Sequence, residues 1–574
     1  MKGIVTILLI AVLSVGLAWT AHQATVAAAP PLSKYVPSGA LLYLQAKDFS
    51  SLLADWNGSP QKREWLGSSN YEVFSRSRLF LRLREAGKQF ATAAGLPPDM
   101  NFLSQVAGSQ SALALYDIGK LQFLYITRLT SANSMQSQLW QTRAKFETRN
   151  VGDATFYVRR DPESEREVEF AVSGNYLLLA TREDLMAGAL LLMAGSKDAG
   201  SKNNDRSIEA EPWWAQSVAA AGAAGDLRMV LNLDKIVPSP YFRSYWVQQN
   251  ITDMKRYAAA VSDLFRSSQE YREERVLLKK AAGGVTSANV PNDVSDLIRL
   301  VPEKAGAYQA ENCPSIESCF DPLETKILAP HLGPAPPQQL APQAQLTSGE
   351  TGTSSDLETR IDEPPMRRSQ GADVASLLKQ LLQKNQVRAV LQVQSTERSG
   401  AGVFVRIHTA VALAGGSDWD EPAVRAALTN FVRPNLTASQ LGVGWRQANG
   451  YFEFDGLQTL LAAVRGKYLL VSDDSALISG MLANVNRKPN VQPTVFAAGF
   501  NHKLERANFN RFAAVVDRPD AGLFGNLGIQ RQPQFFSENI ASFSATLAAV
   551  SSENIVVRDA GDKVLQTVTY QWSQ

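Results

Sequence analysis

Cysteine and histidine are nearly absent: the 574 residues include 2 Cys and 4 His. A metal site built on those ligands is hard to assemble from that stock, so no metal and no cofactor is expected. A surplus of charge is missing too. The 57 Lys and Arg nearly cancel the 55 Asp and Glu, leaving a net charge of +2. Nucleic-acid binders concentrate basic residues on one face, and this balance gives no case for such a partner. Beyond the first residues no apolar run has the length of a membrane span.

Catalytic signatures are also lacking. Gly195–Lys202, GSKDAGSK, carries Gly200-Ser201-Lys202 in the wrong order for a Walker loop and runs on into polar loop. Ser59 and Lys62 form S-x-x-K, but no KTG partner exists and Pro60 interrupts the start. Gly400-Ala401-Gly402 lacks the third glycine of a dinucleotide fingerprint and reads as a turn. His331, His408 and His502 are isolated, and no G-x-S-x-G elbow supports a triad through them. Packing or surface roles are expected of all three, and core packing of Trp213-Trp214. No catalytic, cofactor-binding or metal-ligating residue is therefore assigned, and the reading leans away from an enzyme.

What is present begins at the N-terminus. Between Lys2 and Lys34 there is no charged residue, and Gly3–Trp19 is nearly all apolar. A positive start, an apolar run and small residues at 25–29 match a signal peptide, with Thr25-Val26-Ala27 and Val26-Ala27-Ala28 as cleavage signals. The alternative is an uncleaved single N-terminal membrane anchor, at the short limit for a span and interrupted by His22 and Gln23. No cysteine ends the run, so lipid modification there is not expected. The implied location is exported: periplasm, or the outer face of the cytoplasmic membrane. An oxidising compartment makes Cys313 and Cys319, in ENCPSIESCF, an expected disulfide. Closing so small a loop adds about 2 kcal/mol in the chain-entropy view.

With 45% hydrophobic residues the chain is globular, and its length calls for two or more domains. An internal repeat supplies them. Ala171–Leu190, AVSGNYLLLATREDLMAGAL, recurs without a gap as Ala463–Leu482, AVRGKYLLVSDDSALISGML. The identities include Gly174/Gly466, Tyr176/Tyr468, Leu178/Leu470 and Gly188/Gly480. A second match pairs Val36-Pro37, Ala40 and Tyr43 with Val301-Pro302, Ala305 and Tyr308, in the same order in each half. The fold class expected is α+β: two related halves, each a mainly antiparallel sheet with packed helices. The first half spans 34–290. The second starts over 291–329 with the cysteine loop, resumes at 373–574, and holds a flexible Pro/Gln/Ser/Thr-rich insert at 330–372.

Each motif copy predicts strand, turn, buried strand and capped helix. Thr181 is the expected cap in the first copy, and Ser472 or Asp473 in the second. Glu183, Asp184 and Asp474 then fall in first turns, where the helix dipole favours carboxylates by ~0.3–1 kcal/mol each, which explains them without catalysis. Gly188 and Gly480 imply close packing of those helices. Ser134–Phe146 and Ile251–Phe265 are expected as helices, a hairpin turn is placed at Gly119, and Phe509–Val516 is a short helix. Asp420 is the expected cap of a helix over Glu421–Val432.

VPSGALLYLQA (Val36–Ala46), SGNYLLLATREDLMAGAL (Ser173–Leu190) and RLVPEKAGAYQA (Arg299–Ala310) together resemble an uncharacterised family of exported bacterial proteins, catalogued as a domain of unknown function. The resemblance implies no activity and carries over no functional residue. The expectation is a non-enzymatic exported envelope protein with a binding or scaffolding role, its partner an envelope protein or an apolar ligand. The alternatives are a periplasmic carrier or chaperone for apolar ligands, and a periplasmic enzyme with a site between the halves. Mass spectrometry of protein recovered from cells is expected to find a mature N-terminus at Ala28 or Ala29; a chain retaining residues 1–27 supports the anchor instead.

Overall fold

The computed structural model describes residues 30–67, 71–72, 75–76, 78–97, 102–195, 206–239, 254–280, 293–329, 376–399, 404–431, 444–454, 456, 458–488, 492–505, 507–508 and 550–572. The expected leader at 1–29, the insert at 330–372 and the helix at Phe509–Val516 lie outside them. The described residues form two compact units: those within 1–53, 83–219 and 229–244 make the first, and those within 54–82, 220–228 and 245–574 the second.

The strands that serve the first unit are β1 (Leu42–Ala46), β2 (Ser111–Asp117), β3 (Gln122–Arg128), β4 (Glu147–Val151), β5 (Ala154–Arg160), β6 (Glu167–Ser173), β7 (Tyr176–Ala180) and the end of β8 (Leu227–Asn232). Their pairing order is β8–β1–β2–β3–β7–β6–β5–β4. In register, Tyr43 faces Ala114, Ala114 faces Leu124, Leu124 faces Ala180, and Ala171 faces Leu178. Leu177–Ala180 of β7 are buried on both faces of the sheet, which is why the run is continuously apolar rather than alternating. Helices complete the unit: α1 (Phe49–Gly58) begins in it and α2 (Arg78–Ala94) ends in it. The rest are α3 (Phe102–Val106), α4 (Ser131–Gln136), α5 (Gln138–Gln141), α6 (Glu183–Ala194) and α7 (Pro212–Ala220). Ala91, Ala93 and Ala94 of α2 pack with Leu139, Phe146, Phe170 and Leu179, while α6 packs against β6 and β7.

In the second unit the strands are β9 (Tyr257–Arg266), β10 (Glu270–Lys279), β11 (Ala307–Asn312), β12 (Ala389–Ser399), β13 (Phe404–Ala414) and β14 (Trp445–Ala448). They continue with β15 (Tyr451–Phe454), β16 (Leu461–Arg465), β17 (Tyr468–Ser472), β18 (Phe496–Asn501), β19 (Val550–Asp559) and β20 (Lys563–Trp572). Every pairing is antiparallel, in the order β9–β10–β20–β19–β18–β11–β12–β13–β17–β16–β15–β14. From β18 onward this is the order of the first unit, each strand number raised by ten. The registers agree as well: Tyr308 faces Val393, Val393 faces Ala410, Ala410 faces Ser472, and Ala463 faces Leu470. One face carries α8 (Ile316–Leu323), α9 (Ser376–Lys384) and α10 (Glu421–Thr429) over Val390, Val411 and Leu413. The other carries α11 (Ser475–Asn484), with Leu297 and Leu300, over Leu391, Ala410 and Leu470. Each large apolar side chain so buried contributes ~1.5–3 kcal/mol.

Several expectations change. Residues 254–280 group with the second unit, where β10 pairs with β20 over Glu270–Leu278. The helix expected over Ile251–Phe265 is instead strand β9. Ala259, Ala260, Val261 and Asp263 are buried in it, and Asp263 is held by a bidentate pair with Arg228, at 2.7 Å to each oxygen. That partner is remote in sequence, so Asp263 reads locally as a solvent-facing residue. The helix expected over Ser134–Phe146 breaks at Ser137, whose extended backbone caps α5. In the β2–β3 hairpin the left-handed residue is Leu121, φ 52°, not Gly119. In the first motif copy the cap position is Arg182, and Thr181 Oγ1 accepts from the Phe123 N–H at 2.9 Å instead. In the second copy the cap is Asp474, which accepts from the Leu477 N–H at 2.8 Å. Asp420 caps α10 as expected.

Close packing at Gly480 has a visible cause: a Cβ there would lie 2.9 Å from the Pro302 Cβ. Gly480→Val is expected to lower unfolding stability by about 1–3 kcal/mol through overpacking, measured by denaturant unfolding; an unchanged midpoint contradicts this contact.

Candidate functional site

The first unit contains a cavity of about 640 Å³ beside the open end of the β2–β3 hairpin. Its wall is made by the first turn of α1, by α3, by the segment leading into β2, by the end of β3, and by α4. The local chemistry fixes each piece. Gly108 donates its N–H to Thr127 Oγ1 at 3.0 Å, and a Cβ on it would sit 2.2 Å from the Arg128 carbonyl oxygen. Only glycine fits that approach. The Ser109 N–H to Arg128 carbonyl bond (3.2 Å) and the Arg128 N–H to Gln110 carbonyl bond (2.7 Å) extend the hairpin past β2. Thr130 caps α4, Ser137 caps α5, and Gln105 Oε1 accepts from the Gln138 N–H at 2.9 Å, tying α3 to α5.

Behind this wall lies a buried hydroxyl network. Ser111 Oγ and Thr127 Oγ1 are 2.7 Å apart, and Tyr125 donates to the Val106 carbonyl at 2.7 Å while lying 3.2 Å from Ser111 Oγ. Burial raises the Tyr125 phenol above its ordinary pKa, so it stays a neutral donor. The lining combines serine, threonine, asparagine and glutamine with Ala107, Gly108 and Leu129, and Arg128 is its one ionisable side chain. Arg128, Ser109, Asn133 and Gln136 make no side-chain hydrogen bond or ion pair to other described residues. Such a lining can hydrogen-bond a ligand and neutralise one negative charge. It supplies no carboxylate or imidazole to act as a general base.

The candidates raised by the sequence fall elsewhere. Cys313 and Cys319 form a disulfide, with Cys319 on the buried face of α8. Ser59 Oγ accepts from the Lys62 N–H at 3.1 Å, so the S-x-x-K pair is a helix cap. Trp214 packs edge-on against Tyr43, ring centroids 4.9 Å apart. His502 lies edge-on to Phe500, with Nε2 3.5 Å from Glu553. His408 is buried, its Nε2 3.0 Å from Glu397 and its Nδ1 3.9 Å from both Asp473 and Asp474. Burial raises the Asp473 carboxyl, partly offset by the Thr409 N–H that it accepts at 2.7 Å. Most of GSKDAGSK, His331 and Gly400–Gly402 lie outside the described residues. Among the described residues no group of three or more His, Cys, Asp or Glu is arranged to hold a metal ion, and no helix is long and apolar enough to cross a membrane.

Sequence reasoning missed the cavity. Its trace is the run of small polar residues on either side of the β2–β3 hairpin, Ser104–Ser111 and Thr130–Ser137. It also missed Glu169, which is fully buried in β6 with neither carboxylate oxygen hydrogen-bonded. Burial, then Glu167 and Glu183, push its pKa up to about 8; the nearby Arg182 N–H offsets only part of this.

No family model matches the chain, and no curated protein matches it. Solved structures of TP0453 align at low similarity. Crystal form IV gives a TM-score of 0.23 at 11% identity, covering 43% of this chain and 80% of that one. Crystal form III gives 0.23 at 12% identity, covering 48% and 87%. Likeness at this level assigns neither fold nor activity.

Between its ordinary pKa of 4.5 and about 8, Glu169 keeps its proton when folded and loses it when unfolded. Stability on this account falls as pH rises through that window, and the full loss is in place above it. Glu169→Gln is expected to flatten that slope and to stabilise the protein at pH 9 by a few kcal/mol, on the order of 1.4 per pKa unit, with little change at pH 4. Unfolding curves at both pH values check this; an equal effect at the two excludes the buried-carboxyl account.

Proposed function

We propose that the chain is a non-enzymatic exported protein of the cell envelope, built from one sheet plan used twice, whose first unit binds a small polar ligand. The observation that carries the binding role is the cavity beside the β2–β3 hairpin, lined by hydrogen-bonding side chains and one guanidinium that has no ion-pair partner among the described residues. Binding pockets fix orientation with a few convergent polar groups, and this wall supplies them from Ser109, Arg128, Asn133 and Gln136. A lipid tail would leave those groups unsatisfied, at ~1–3 kcal/mol each, so the polar lining favours a polar ligand over the apolar one expected from sequence. A lining without a base favours binding over turnover.

The duplication is supported by pairing order and by register. β1 to β8 and β11 to β18 follow one order, and the repeat pairs Ala171/Ala463 and Tyr43/Tyr308 occupy equivalent places in it. Such agreement at residue level is what a duplicated unit predicts. Export is supported by the apolar N-terminal run and by the Cys313–Cys319 disulfide, a bond that persists in oxidising compartments.

Thermal unfolding of the intact chain with glucose, glucuronate or decanoate tests the binding role. A saturable rise in unfolding temperature with the hydroxylated compounds and none with decanoate is expected; stabilisation by decanoate alone returns the apolar-carrier reading.

A further inference from the structure

We infer that the cavity of the first unit takes a small hydroxyl-rich organic anion, a sugar acid or sugar phosphate, with Arg128 as the partner of its negative charge. This rests on the binding role proposed above and adds the ligand class.

Equivalent positions in the two sheets differ in chemistry. Ser111 faces Thr127 in β2–β3, and the equivalent pair in β12–β13 is Val390 facing Leu413. Tyr125 corresponds to Val411 by the same register. Val390, Val411 and Leu413 belong to one aliphatic core beneath α8, α9 and α10. The same sheet position is thus filled by an ordinary core in one unit and by a buried hydroxyl network in the other. The fold does not need the hydroxyls, since it is built without them in the second unit. What they hold is the pocket wall: Thr127 Oγ1 receives the Gly108 N–H, and Tyr125 fixes the end of α3 through the Val106 carbonyl.

Arg128 follows Thr127 directly, and its counterpart in the second sheet is Ala414. A guanidinium remains protonated at any physiological pH and offers a planar fork suited to carboxylate or phosphate. Here it lines a concave site that has no acidic residue and makes no ion pair with the described residues. A negative ligand supplies the missing partner. The side chains of Ser109, Asn133 and Gln136, without hydrogen-bond partners among the described residues, present both donors and acceptors, which suits hydroxyl groups that do both.

Calorimetric titration of the intact chain with glucose, glucuronate and glucose 6-phosphate tests the assignment. The anions are expected to bind about tenfold more tightly than glucose, the difference one charge-assisted hydrogen-bonded pair supplies. Arg128→Gln is expected to erase that difference with the unfolding temperature of the free chain unchanged; Arg128→Lys restores part of it. A preference for glucuronate points to a carboxylate ligand and for glucose 6-phosphate to a phosphate one. Equal affinity for glucose and the anions, or an anion preference that survives Arg128→Gln, overturns the inference and leaves the polar-binding role standing. No binding of any of the three overturns both.

Discussion

The registers of β7 and β17 are the constraint on which the rest depends. Both strands are buried on both faces, so a shift of one residue has no polar side to expose and no apolar side to gain. What fixes them is the pairing on either side, β3 and β6 for one, β13 and β16 for the other. Once Leu178 faces Ala171, and Leu470 faces Ala463, the helix after each strand must start at the next turn. The carboxylates at those turns follow from helix starts. Asp474 caps its helix, and Asp184 pairs with Arg182. The motif is architecture, and its acids have structural work.

Much of this was legible in the sequence because it is local. Each motif copy is the strand, turn, buried strand and helix that its pattern predicts, and Asp420 caps the helix that follows it. The errors have one physical origin. β9 looked helical because Asp263 is inward-facing only by virtue of Arg228, far away in sequence. Ser137 broke a helix because its hydroxyl found a better use as a cap. The candidate site was invisible for a related reason. Serines and threonines around a hairpin have the composition of a loop, and only the fold shows that Ser111 and Thr127 face each other inside it.

Polarity where the fold does not require it is the most informative feature of the first unit. Glu169 stands where the repeat has Leu461, a buried core residue, and gains no hydrogen bond in exchange. Ser111, Thr127 and Tyr125 stand where the second sheet has Val390, Leu413 and Val411. The two cases differ in kind. Glu169 is a cost to stability with no partner, whereas the hydroxyls are mutually satisfied and brace a cavity wall. A satisfied network specifies geometry, while an unsatisfied carboxyl only adds pH sensitivity.

The central claim is that the two sheets share one register and that the hydroxyl network serves the pocket rather than the fold. Ser111→Val tests both parts by placing the residue of the second sheet at the equivalent position of the first. Tyr125 keeps the Val106 carbonyl and Thr127 keeps the Gly108 N–H, so no buried group is orphaned. Denaturant unfolding of this variant is predicted to give a stability within about 1 kcal/mol of the parent, in the range of one net hydrogen bond. A loss of roughly 3 kcal/mol or more, the scale of a disrupted core, would contradict the account.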